Sequence, residues 1–124
     1  MQKFVILLTY SVSLLLVSCE ANDYPYVRIK TPTNRQVFNA PEVIRISAEM
    51  QSGDALSNEW LVVTKINASH DSIIINNRGQ GFQGNRMYHL VDSFISEPAA
   101  QYKILAGATG GAGPSYDSIF ISTN

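Results

Sequence analysis

The eight residues from Val43 to Met50, VIRISAEM, alternate without a break. Ile44, Ile46, Ala48 and Met50 share one side; Arg45, Ser47 and Glu49 share the other. Successive side chains of a strand point to opposite faces, so this pattern specifies a half-buried strand with one wet side. The pattern recurs along the chain. Tyr26 to Lys30 alternates with Val27 and Ile29 inward, and Trp60 to Ile66, WLVVTKI, is β-branched and apolar. Ser72 to Asn76 is SIIIN, Tyr102 to Ala108 is YKILAGA, and Ile119 and Ile121 alternate near the end. Turn-rich segments such as QSGDALSN, NASHD, NNRGQGFQGN, SEPAAQ and GGAGPS separate these runs. About seven short strands at this spacing predict an all-β chain folded as an antiparallel sandwich or barrel.

The segment from 86 to 96 supports two readings. Met87, Leu90, Val91, Phe94 and Ile95 recur at helical spacing. Tyr88, Leu90 and Phe94 also share one face of a strand, with Asp92 as the exception. A strand is expected, because a sandwich needs one between its last two hairpins.

Bulk properties bound the function. The chain has 124 residues, with 45% hydrophobic and 15% charged, which fits a single packed domain. A formal net charge of -1 without a basic run offers no electrostatic footprint for nucleic acid. One Cys cannot form an internal disulfide, so an ordinary core must hold the fold.

The first 18 residues, MQKFVILLTYSVSLLLVS, have a positive Lys3 followed by an apolar run from Phe4 to Val17. The run falls short of the ~20 apolar residues a spanning helix needs and fits a secretory signal peptide. It ends in Leu16-Val17-Ser18-Cys19, which resembles the lipobox of bacterial lipoproteins. The resemblance implies cleavage before Cys19, lipidation of its thiol and acylation of its new amino group. Acyl chains at ~0.8 kcal/mol per buried methylene then hold the protein on a membrane. The expected organisation is a signal over 1–18, a lipidated Cys and tether over 19–25, and a folded domain over 26–124. Glu20 follows the Cys where inner-membrane lipoproteins of enterobacteria can carry Asp, so the expected location is the outer membrane.

The strand plan resembles bacterial immunoglobulin-like domains. VRIKTPTNRQVFNAPEVIRISAEM looks like their opening, and AAQYKILAGATGGAGPSYDSIFI like their closing hairpin. The resemblance implies an immunoglobulin-like antiparallel β-sandwich, with Trp60 as the core aromatic of the third main strand. It implies for Tyr102 the place of a tyrosine-corner residue. The chain is also similar to small uncharacterised Bacteroidota lipoproteins of this architecture. In that group Asp-Ser/Thr-apolar motifs carry O-glycans, which implies Ser72 in Asp71-Ser72-Ile73 and Ser118 in Asp117-Ser118-Ile119 as acceptors. The residue-level alternative is an Asp-Ser pair that starts a strand.

Arg78 to Gly84, RGQGFQG, spells a dinucleotide fingerprint through Gly79, Gly81 and Gly84. That fingerprint works only between a strand and a helix of a parallel unit, and about 40 residues after the last Gly leave no room for one. The segment is an interstrand loop, and Phe82 among Gln80, Gln83 and Arg86 makes it the candidate ligand-binding loop. No cofactor is expected. No metal is expected either: His70 beside Asp71 and His89 near Asp92 lack ligand spacing. Asp54, Asn58 and Glu59 offer oxygens in one segment but without the density of a calcium loop. No nucleophile elbow or paired carboxylate marks a catalyst. The expectation is a lipid-anchored, non-catalytic envelope domain that recognises glycan or protein. The alternative is a periplasmic structural accessory subunit of an outer-membrane complex.

Overall fold

A computed structural model describes residues 24–52, 58–79, 81 and 87–124. Eight strands and no helix occur among the described residues. They are β1 (Tyr26–Thr31), β2 (Val37–Phe38), β3 (Val43–Gln51), β4 (Asn58–Ile66), β5 (Ser72–Gly79), β6 (Tyr88–Ile95), β7 (Gln101–Gly110) and β8 (Gly113–Thr123). A three-stranded sheet, β1-β3-β6, packs on a five-stranded sheet, β2-β8-β7-β4-β5. All pairings are antiparallel except β2 with β8. This is the immunoglobulin-like β-sandwich order, with β5 joining the sheet of the last two strands.

Alternation decides which side chains meet between the sheets. Ile29, Ile44, Ile46, Ala48, Met50, Leu90 and Phe94 come from the smaller sheet. Leu61, Val63, Tyr102, Ile104, Ala106, Ala108, Ile119 and Ile121 come from the larger. Each large apolar side chain so buried contributes about 1.5–3 kcal/mol, enough for a core without a disulfide. Residues 88–95 form strand β6, antiparallel to β3 from Val43↔Ile95 to Met50↔Tyr88. The helical spacing there is overridden because β3 presents a full ladder to pair with. Asp92, the polar exception on the inward side, lies within 3.4 Å of the Asn77 side-chain nitrogen. That contact joins β6 to β5 across the open side of the sandwich.

Tyr102 is fully buried, and its hydroxyl accepts the Glu97 backbone N–H at 2.9 Å. Its ring packs on Phe94 at a centroid distance of 4.9 Å. This is the tyrosine corner expected from its position near the start of the penultimate strand. Buried Ser96 exchanges hydrogen bonds with Glu42, and the Ala100 N–H donates to Thr123 Oγ1 at 2.9 Å. Lys65 pairs with Glu97 at the same corner.

Three sequence expectations are corrected. Trp60 is not a core aromatic: the β4 register turns Glu59, Leu61 and Val63 inward and Trp60 outward. The interior aromatics are Tyr102 and Phe94. Strand β5 runs on through Asn77 and Arg78 to Gly79, past the apolar SIIIN, because β4 supplies pairing partners for all three. The closing hairpin also continues into the glycines, leaving Gly111 and Ala112 between paired Gly110 and Gly113. Gly113, at φ 135°, adopts a backbone conformation that side-chain-bearing residues rarely tolerate.

Candidate functional site

The sandwich has two poles. At one lie the start of β1, the end of β3, the start of β4, the end of β5, the start of β6 and the β7–β8 hairpin. At the other lie the β4–β5 turn, the β6–β7 corner and the C-terminal residue. Cys19, Asp54, Gln80, Phe82, Gln83 and Arg86 lie outside the described residues. The strand ends that carry the Phe82 segment, Gly79 and Tyr88, are at the first pole. Tyr24 and Pro25 reach this pole too: Pro25 is buried near Gly110, and the Tyr24 ring lies beside Gly113.

The other candidates scatter. His70 is exposed in the β4–β5 turn, where its Nδ1 is 3.2 Å from Ser69 Oγ, at the pole away from Gly79 and Tyr88. Asp71 accepts the Asn67 N–H in the same turn. His89 faces out opposite Glu49, whereas Asp92 faces in, so the two do not converge. Asn58 and Glu59 also part: Asn58 is exposed and Glu59 is 5% exposed on the inner side of β4. Glu59 Oε2 has no hydrogen-bond partner among the described residues. No group of three His, Cys, Asp or Glu side chains that could hold a metal occurs among the described residues. Ser72 is half-buried at the start of β5, with its hydroxyl bonded by the Asn67 amide at 3.0 Å. Ser118 is exposed in the middle of β8, and its neighbour Asp117 turns inward to accept the Ile29 N–H at 2.9 Å. Asp117 therefore does not start its strand.

Sequence reasoning missed the outer face of the five-stranded sheet. Register places Arg78, Trp60, Gly107 and Tyr116 in one row across β5, β4, β7 and β8. Trp60 is half-buried because it lies down over Gly107: a Cβ there would sit 2.2 Å from the indole. Only glycine leaves that space. Tyr116 flanks the glycine on the other side and is 70% exposed. Arg78 is held by an Nε–H bond to Asn76 Oδ1 at 2.9 Å. Four residues further along β8, Phe120 is 48% exposed, with the Lys103 ammonium 6.0 Å from its ring centre. A groove of about 330 Å³ beside it is lined by Arg35, Gln101, Phe120 and Ser122. The signal was present: Tyr116, Ser118 and Phe120 alternate against Asp117, Ile119 and Ile121.

The three-stranded sheet also presents apolar side chains. Val43 pairs with Ile95 and Ser47 with Val91, and all three apolar residues are exposed. A shallow groove there is lined by Thr31, Val43, Arg45, Val91 and Ser93.

No protein-family model matches the chain. No curated protein matches it. Among solved structures, an engineered protein is similar at 13% identity and a TM-score of 0.53, over 84% of this chain and 21% of that one. A β-glucosidase from Listeria innocua is similar at 8% identity and a TM-score of 0.49, over 79% of this chain and 16% of that one. The sporulation control protein Spo0M from Bacillus subtilis is similar at 10% identity and a TM-score of 0.46, over 82% and 49%. This chain therefore spans about a fifth of the engineered protein, and the likeness to it concerns the fold alone.

Proposed function

We propose that this is a lipid-anchored cell-envelope protein whose sandwich is a non-catalytic recognition domain for glycan or protein. The observation that carries the reading is the outer face of the larger sheet, where Tyr116 and Phe120 stay exposed while a complete core forms without them. Rigid aromatics held on a sheet present contact area at low entropic cost, which suits binding. Support for the anchor is the lipobox-like Leu16-Val17-Ser18-Cys19 behind an apolar leader.

The test is proteolysis of intact cells with a tag placed after Asn124. Loss of the tag with periplasmic controls intact supports capture of an external ligand. Protection until the outer membrane is broken overturns external capture. It then favours the accessory-subunit reading, for which exposed Val43, Val91 and Ile95 offer a protein-contact face. That second reading requires co-purification of a stoichiometric envelope partner, lost on Val91→Glu.

A further inference from the structure

We propose that the outer face of the five-stranded sheet binds an acidic polysaccharide laid along the strands. The proposal rests on the recognition reading above and names its ligand class. A pyranose ring has two apolar C–H faces and a rim of hydroxyls. Its C–H groups pack on the electron-rich face of an aromatic ring, while its hydroxyls need amides and hydroxyls at the ring's edge. The row through Trp60, Gly107 and Tyr116 supplies both. Trp60 and Tyr116 stand two strands apart, about 9–10 Å between backbones. Gly107 makes room for the Trp60 indole, which lies over it on the side toward Tyr116. Asn76, Ser118 and Thr109 surround the row with amide and hydroxyl groups.

The face has a second station. Phe120 lies four residues from Tyr116 on the same side of β8, about 13–14 Å along the strand. Two aromatic stations at that separation suit a chain of sugars rather than a single one. Charge then selects among sugar chains. Arg78 stands beside Trp60, Lys103 stands over Phe120, and Arg35 lines the groove next to it. No carboxylate faces outward on this sheet among the described residues. The whole chain carries a formal charge of -1, so the positive charge of this face does not reflect a basic protein. A neutral glycan would leave these cations unused, whereas carboxylate or sulfate groups spaced along a glycan meet them. Single-stranded nucleic acid also stacks on aromatics, but its dense phosphates require more cations than the three here.

The full-length chain, purified in detergent micelles, is run in native gels containing polygalacturonate, alginate or chondroitin sulfate. Parallel gels contain methyl-esterified pectin or single-stranded poly(dT). Retardation by at least one of the three acidic polysaccharides, and not by the esterified pectin, is expected. Tyr116→Ala, at an exposed position where truncation leaves the fold intact, should weaken it about tenfold. Arg78→Gln combined with Lys103→Gln should weaken it further and flatten its dependence on salt. The proposal is overturned if none of the three acidic polysaccharides retards the chain, if Tyr116→Ala binds as well as the parent, or if poly(dT) is retained more strongly. Retardation by esterified pectin that is lost on Tyr116→Ala overturns the acidic ligand and leaves glycan recognition standing. The recognition reading itself fails separately, through protection of the tag in intact cells.

Discussion

Single side chains show where this fold is braced and where it is under load. Tyr102 is braced: its ring fills the core and its hydroxyl holds the Glu97 N–H. Tyr102→Phe keeps the packing and deletes one hydrogen bond, so a loss of about 1 kcal/mol is expected. A lowered urea midpoint with an unchanged slope would confirm it. Glu59 is the opposite case. Its carboxylate is buried over Gly79, and one oxygen has no partner among the described residues. A buried polar oxygen without a hydrogen-bond partner costs more than an apolar group of the same volume. Glu59→Met should therefore raise stability by about 1–2 kcal/mol, read as a higher urea midpoint. A lower midpoint would mean that the carboxylate is satisfied by a bound cation or a cationic group.

At the level of strands, the sandwich closes its weak seams with polar side chains. Strand β1 is an edge, and its register shifts between Ile29 and Thr31. A bulge on an edge leaves backbone groups without ladder partners. Asp117 reaches from β8 to accept the Ile29 N–H. Asp117→Ala should cost about 1 kcal/mol and release the Ile29 amide to rapid hydrogen exchange while Ile104 stays protected. The Lys65–Glu97 pair fastens the other pole. The hydrogen bond that the Lys65 ammonium donates to the Glu97 carboxylate is the main cause that holds the Lys65 pKa above the ordinary lysine range. The pair's support is complete below the unfolded lysine range and fades as pH rises through the raised value, but an exposed pair contributes little. The strands were legible in the sequence wherever one face is wet. Ile44 to Met50 and Tyr102 to Ala108 alternate because burial on one side dictates it. What was not legible came from partners distant in sequence. Trp60 faces outward because Gly107, 47 residues away, clears a place for it. The strand expected at β6 is present, but its own periodicity fits helix and strand alike, and pairing with β3 decides between them. Phe82 stood out locally, while the aromatic row emerged only when register put β5, β4, β7 and β8 side by side.

Taken whole, the molecule has a defined bottom and top once the proposed anchor is included. Pro25 is buried near Gly110, so the described chain enters the sandwich at the hairpin pole. Five residue steps separate Cys19 from Tyr24, a reach of at most about 18 Å. Inserting a twenty-residue Gly-Ser linker after Asp23 should leave binding at Tyr116 unchanged in micelles and raise access to the Gly110–Gly113 turn for a bulky protease on cells. Equal access before and after insertion would mean that the short leash imposes no posture. With the proposed anchor at Cys19, that short leash would hold the hairpin pole toward the bilayer. The strand ends at Gly79 and Tyr88 would then face the headgroups, and His70 and Asn124 the free end. Held so, the flank that carries Tyr116 and Phe120 would stay open from the side to a long polymer.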